Sequence, residues 1–331
     1  MNESLLRVAG GCSAAVTGSS GFVGKHLVHH LGRAGYEVTG FSRRAVAQGM
    51  QEQQLVQTIT GDLNHLDVNG ITKDCDQVEI FYHLAGRAHR PAELADANSF
   101  ELFRNDNVKA TEKAYQLALA MGARRFVYLS SIKVMGDTSM SPLSPKLATN
   151  PCDVYARSKC EAESMLHDLQ LHNGLAVTIV RPPLIYGPHV GGNFEKLLGL
   201  AFGWFPLPLQ GARSPRSMLS ISNLCDLLIK CIPEDDIGYR VLHVRDNQDV
   251  TVEHLLTAMS GFMHKPAHLF YVPERYLRFL ARCTNRSTQL ARLFDPMQVD
   301  DSQTRDLFSW SPPQSFEAAL KETVDCWTMQ H

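Results

Sequence analysis

The sequence predicts an α/β chain: a doubly wound parallel sheet followed by a smaller C-terminal lobe. Three observations predict it. Short β-like runs alternate with helix-length patterns through roughly the first 180 residues, and such alternation encodes a parallel sheet covered on both faces. A glycine-rich turn, Gly18-x-x-Gly21-x-x-Gly24, joins the first run to the first helical pattern. After Arg181 the alternation loosens and proline and glycine become frequent, which marks a change of lobe.

The predicted strands are Ala14–Thr17, Glu37–Phe41, Gln57–Thr60, Val78–Leu84, Arg125–Leu129 and Ala176–Val180, with helices over Phe22–Ala34, Ala110–Met121 and Val154–His172. The first domain takes residues 1–180 with returns near 219–249. The smaller lobe takes 181–218 and 250–331. The 331 residues suffice for a sizeable core. A net charge of −2 offers no basic field for nucleic acid or an anionic membrane. Eight scattered cysteines without a C-x-x-C pair argue against a zinc site or disulfide framework and for a reducing, cytoplasmic setting. No signal peptide is read in "MNESLLRVAGGCSAAV". The most apolar segment, Leu197–Leu209, is too short to span a bilayer and is broken by Pro206 and Pro208. It reads as a buried loop and strand.

The glycine turn has a physical purpose. Its first glycine permits a tight turn, its second lets backbone approach a phosphate, and its third lets the helix pack closely, with N-terminal amides facing the anion. The spacing differs from the commoner G-x-G-x-x-G, and glycines also make plain turns; the strand–turn–helix setting gives this trio its meaning. His26 and His30 share a helix face, but no third ligand is near in sequence, so no metal site is predicted.

Downstream, "DVYARSK" sets Tyr155 and Lys159 four residues apart on one helix face, and "RFVYLSSIKVMG" ends a β-like run in Ser130 and Ser131. An ammonium beside a phenol favours the phenolate, so Tyr155 is expected to exchange a proton near neutral pH, with Ser131 hydrogen-bonding the same substrate oxygen. Y-x-x-x-K alone is common on helix surfaces. Behind a phosphate-cradling turn it reads as a site.

These motifs together resemble the extended short-chain dehydrogenases/reductases, also called the NAD-dependent epimerase/dehydratase family, which act mostly on nucleotide sugars. The resemblance rests on "TGSSGFVG" (17–24), "GDL" (61–63), "HLAG" (83–86), "NVKAT" (107–111), "LSSIKVMG" (129–136), "YARSK" (155–159), "RPPLIYGP" (181–188) and "LFSWSPPQSFEAAL" near the C-terminus. It implies a Rossmann domain with substrate in a cleft beside the smaller lobe. It assigns Ser131, Tyr155 and Lys159 to catalysis, with Lys159 also holding the nicotinamide ribose. Gly18, Ser20, Gly21, Phe22, Val23 and Gly24 would hold the pyrophosphate, and Asp62 and Leu63 would lie beside the adenine. Leu84, Ala85 and Gly86 would run along the cofactor, with Arg181, Pro182 and Tyr186 closing over the nicotinamide. Asn193 and Arg216 would meet the sugar nucleotide's diphosphate, and Phe205–Gly211 would contact uracil and ribose. A homodimer through helices near Phe100–Met121 and Val154–His172 is also implied.

Where an NAD enzyme would carry a carboxylate after the second strand, this chain reads "FSRR". Ser42 and Arg43 suit a 2′-phosphate by hydrogen bond and charge, so NADP(H) is favoured over NAD(H). The family's 4,6-dehydratases carry Thr-Asp-Glu where this chain has Ser131, Ile132 and Lys133, and the GDP-fucose synthase-like enzymes need a cysteine where Ile132 stands. Simple redox at one sugar carbon remains. The finer wording is most similar to bacterial reductases of UDP-4-keto-6-deoxy-N-acetylhexosamines from polysaccharide (O-antigen) clusters, in which Arg87, His89 and Lys133 would face the sugar. The alternatives are a UDP-hexose 4-epimerase and, from another class, a non-catalytic NADP-sensing regulator. Such regulators typically lack the tyrosine.

Overall fold

The computed structural model describes residues 13–44, 55–68, 70–71, 77–87, 99–231, 238–284 and 286–331. Its main sheet has seven strands: β1 (Ser13–Thr17), β2 (Glu37–Ser42), β3 (Leu55–Thr60), β4 (Ile80–His83), β5 (Arg125–Leu129), β6 (Ala176–Arg181) and β9 (Tyr239–His243). They lie in the order β3-β2-β1-β4-β5-β6-β9. The pairings β1–β2, β1–β4, β2–β3, β4–β5 and β5–β6 are all parallel. This is a doubly wound, Rossmann-like sheet. Parallel strands covered on both faces read as unbroken apolar runs, and Ala14, Ala15, Val16 and Ile80 to Tyr82 are accordingly buried. Strand order reverses between β1 and β4. That reversal opens a crevice at the strands' carboxyl ends, where ligands bind in such sheets.

The helices that matter to this crevice are α1 (Phe22–Arg33), α2 (Ser99–Arg104), α3 (Ala110–Ala120) and α4 (Val154–Asn173). Helix α2 runs into α3 through one π-helical stretch, Asn105–Lys109, where the widened turn buries Asn107 and Val108. Helix α4 starts on Asp153, whose carboxylate caps the Ala156 amide at 2.8 Å, and stops on Gly174 at φ 73°. That is an acidic N-cap and a left-handed glycine stop. Phe81 stacks on Phe126, with Tyr115 edge-on to it, and joins the sheet to α3.

By its internal contacts the chain forms two compact units. The first is Met1–Val134, Thr149–Arg181 and Cys225–Leu242; the second is Met135–Ala148, Pro182–Leu224 and His243–His331. Within the second, β7 (Leu184–Tyr186) pairs in parallel with β8 (Met218–Ser220). Its other described elements are α5 (Gly192–Phe202), α6 (Ile221–Lys230, shared with the first unit), α7 (Val252–Phe262), α8 (Glu274–Cys283), α9 (Ser287–Phe294), α10 (Ser302–Phe308) and α11 (Phe316–Thr328). The segment Leu197–Leu209 differs from the buried loop and strand expected of it. Its first half completes α5, and Trp204 and Phe205 stack on each other in the open at 4.1 Å. Glycine before Trp204 ends the helix, and the two prolines then limit the following chain to an isolated bridge, Leu207 to Leu269.

Candidate active site

The glycine turn is over-determined by packing. Gly18 has φ +68°, and a Cβ there would lie 2.9 Å from the Ala85 amide nitrogen. The end of β4, with Leu84 and Ala85 following, thus presses on the turn at the point of strand reversal. The turn closes through Gly21 N–H donating to Gly18 O at 2.9 Å, and Gly21 is the N-cap of α1. A Cβ on Gly24 would meet the Gly18 carbonyl oxygen at 2.1 Å. The third glycine therefore lets the helix pack on the turn itself, more closely than on the sheet. The first-turn amides, Phe22, Val23 and Gly24, have no intrahelical acceptor, which is the arrangement that suits an anion at a helix start.

The end of β2 is looser. Arg43 is 67% exposed, and its guanidinium stands 3.9 Å from Asp106, which Arg87 Nε meets at 3.0 Å. Ser42 departs from expectation. It is buried, and its hydroxyl donates to Arg44 O at 2.5 Å, so its proton is already committed to backbone. Asp62 is exposed and uses its carboxylate to accept the Asn64 amide, capping the 3-10 turn that begins at Leu63.

At the end of β5, Ser131 Oγ accepts the Lys133 amide at 3.3 Å and hydrogen-bonds Tyr155. Lys159 donates to Leu129 O at 2.9 Å, and its ammonium lies 4.5 Å from the centre of the Tyr128 ring. The expected near-neutral phenol is not what these surroundings give. Burial pushes Tyr155 up to about 12, the Ser131 hydrogen bond opposes this, and Asp153 adds to it. Burial likewise lowers Lys159 to about 8, against the attraction of Glu163. Both shifts favour the neutral form, because desolvation outweighs the polar partners.

Four groups that the motifs did not single out support this cluster. Glu163, one turn beyond Lys159, accepts from Ser130 and from the buried Arg181 guanidinium, so it ties α4 to the ends of β5 and β6. Spacing of i, i+4 from Lys159 was the available signal. Asn107, on the π-helical turn, accepts the Arg87 amide at 2.7 Å and donates to Ser158 at 2.9 Å, one turn from Tyr155. A Cβ on Gly86 would meet Asn107 Oδ1 at 3.0 Å and Lys159 Nζ at 3.3 Å, which brings the β4 end to the same point. His83 is buried and lowered to about 3 by desolvation, hence neutral. Thr111 donates to Asn107 O, so it must accept from His83 Nε2, which leaves Nδ1 to accept from Thr17. Asp153 both caps α4 and pairs with Lys133.

The residues expected to face the sugar fare unequally. Lys133 is engaged by Asp153 and Arg87 by Asp106. His89 lies outside the described residues. In the second unit, Asn193 is exposed in the first turn of α5, and Arg216 donates to Asp295 O at 2.5 Å. Arg292 of that unit, bonded to Asp137 at 3.5 Å, escaped the sequence reading. Pro182 is buried. Tyr186 is fully buried and donates to Asp246 at 2.7 Å, so its hydroxyl is committed inside the second unit.

The glycine turn at the strand reversal, where a Cβ on Gly18 or Gly24 would collide with backbone, fits a dinucleotide's pyrophosphate. A family model described as "NAD dependent epimerase/dehydratase family" matches residues 14–199.

The chain belongs to the NAD dependent epimerase/dehydratase family.

It is 31% identical over 319 residues to a UDP-glucose 4-epimerase of Vibrio cholerae, covering 95% of each. Among solved structures, the fold matches a UDP-glucuronic acid 4-epimerase from Bacillus cereus in complex with NAD, with TM-score 0.78 and 18% identity over 96% of this chain and 99% of that one. It also matches a UDP-N-acetylglucosamine 4-epimerase from Methanobrevibacter ruminantium at TM-score 0.77 and 22% identity, over 97% and 99%. No helix among the described residues is long and apolar enough to cross a membrane.

Proposed function

We propose that this family member is a sugar-nucleotide 4-reductase, acting on a UDP-4-keto-6-deoxy-N-acetylhexosamine with NADPH, in bacterial surface-polysaccharide synthesis. The observation that carries the reading is the cluster at the end of β5: Tyr155 hydrogen-bonds Ser131, and Lys159 is held on Leu129 O one helical turn away. Reduced nicotinamide, when bound, supplies the hydride. Tyr155 then donates its proton to the C4 oxygen, which Ser131 also hydrogen-bonds. Lys159, held on Leu129 O, carries the charge that steadies the phenolate left behind. Gly18 to Gly24 hold the pyrophosphate, and Arg43 meets the 2′-phosphate. Ser42 contributes through the backbone it fixes, since its hydroxyl proton is taken. Ile132 is buried and Lys133 is paired with Asp153, so neither following position offers the carboxylate that expulsion of a hydroxyl would need.

A second reading, a 4-epimerase with tightly held NAD, is favoured by the full-length likeness to the Vibrio relative. The two differ in the fate of the cofactor. Purified protein should consume NADPH stoichiometrically with the 4-keto sugar and leave UDP-N-acetylglucosamine and UDP-N-acetylgalactosamine unexchanged. Interconversion of those two sugars without net change at the reduced-nicotinamide absorbance would replace the reductase by the epimerase.

A further inference from the structure

Helix α8 is oriented unusually for a helix of a folded domain. Only Ala281 is buried, while Tyr276, Phe279 and Leu280 are 53%, 65% and 57% exposed. With Cys283, also exposed, these three occupy positions i, i+3, i+4 and i+7, a single face. The apolar stripe thus points to solvent. Arg275 and Arg282, seven residues apart, line one edge of it, and Arg286 opens the next helix. Among the described residues these three arginines form no ion pair, whereas Arg278 is held by Glu274 and Asp295. Arg275 instead lies over the Tyr276 ring at 4.9 Å. The chain entering α8 carries more exposed aromatic surface at Phe270 and Tyr271. It pairs with residues 207–210, just past the exposed Trp204 and Phe205.

We propose that this face of α8 docks on an anionic lipid surface, lying in the interface plane with Tyr276, Phe279 and Leu280 among the acyl chains and Arg275, Arg282 and Arg286 at the headgroup phosphates. An amphipathic helix with an aromatic stripe edged by arginine has the chemistry of an interfacial helix, and long arginine stems keep their charge at headgroup level while the stripe inserts. Charge decides against a second copy as occupant. From 272 to 294 the chain holds five arginines and one acid, Glu274, which Arg278 already engages, so a copy of this face brings no free carboxylate to meet the arginines. The docking is peripheral and independent of the reaction proposed above.

The test is co-sedimentation of the full chain with vesicles of equal parts phosphatidylglycerol and phosphatidylcholine, against pure phosphatidylcholine. Binding is expected to the anionic vesicles alone and to weaken as salt rises from about 0.1 to about 0.5 M. The double variant Phe279→Asp/Leu280→Asp should bind at least about tenfold more weakly. Arg275→Ser/Arg282→Ser should lose roughly fivefold per arginine. Both should keep the parent's melting temperature and turnover, because the changed side chains are exposed. Equal partition to both vesicle types, no partition at low salt, or parental binding by the Asp variant would overturn the proposal. So would a parent dimer that the Asp variant breaks while neither binds vesicles.

Discussion

Two stretches of the first unit, the turn after β1 and the end of β2, lie at the carboxyl ends of neighbouring strands and are built in opposite ways. At the glycine turn two positions are hemmed in: Gly18 by Ala85, and Gly24 by the Gly18 carbonyl. At the end of β2, Arg43 is two-thirds exposed, and the ion pair nearest it is a long 3.9 Å contact with Asp106. One stretch is specified by steric exclusion and the other only by charge in solvent. The turn is therefore rigid, and the end of β2 is free to vary. Between these extremes lies the Tyr155–Lys159 cluster, which is buried enough to shift its groups and polar enough to hold them.

The hemmed-in end should break hardest. Gly24→Val adds branched carbon where even a Cβ would stand 2.1 Å from backbone oxygen. A stability loss of roughly 3 kcal/mol and no measurable cofactor binding are expected. Denaturant unfolding and nucleotide titration check both, and near-parental values would mean that α1 moves freely off the turn. In the cluster, Tyr155→Phe should lower turnover by about 10²–10⁴-fold while leaving cofactor affinity intact, read by steady-state kinetics and equilibrium binding. Unchanged turnover would remove the phenol from the mechanism.

Lys159 sharpens the comparison through pH. Its folded pKa, about 8, lies below its unfolded value, so the unfolded chain binds the extra proton between about pH 8 and 10.5. The group costs stability below pH 8, and that cost fades as pH rises through the window. Lys159→Met should therefore be inactive yet more stable than the parent at pH 7, by on the order of 2 kcal/mol, with the gain shrinking toward pH 10. Unfolding curves at the two pH values decide it; a pH-independent difference would contradict it. At the loose end the effect should be confined to binding of one cofactor. Arg43→Ala should weaken NADPH binding by about ten- to a hundredfold and NADH binding hardly at all, since a charge-assisted hydrogen bond is worth about 1.5–3 kcal/mol. Equal losses for both cofactors would leave Arg43 as surface charge.

Much of this was legible in the chain. The apolar runs at Ala14–Val16 and Phe126–Leu129 announce buried parallel strands, and Gly18, Gly21 and Gly24 announce the turn, because these demands are local. The Y-x-x-x-K spacing likewise sets Tyr155 and Lys159 on one face without help from the fold. The commitment of Ser42 to Arg44 O, of Lys133 to Asp153 and of Tyr186 to Asp246 was not legible. Neither was the exposure of Trp204 and Phe205, whose aromatic character alone suggests burial.

By itself the sequence determined the doubly wound sheet, the cradle, the family and the residue types at Ser131, Tyr155 and Lys159. Periodicity, glycine and helix spacing act over a few residues and survive any surroundings. Only the tertiary structure decided which polar groups remain available and in what proton state. It half-buried Tyr155 and buried Lys159 until desolvation outweighed their neighbours, set Glu163 between Ser130 and Arg181, and turned the apolar stripe of α8 outward. Those outcomes depend on atoms brought together from distant parts of the chain, and desolvation and pairing are properties of that assembled environment.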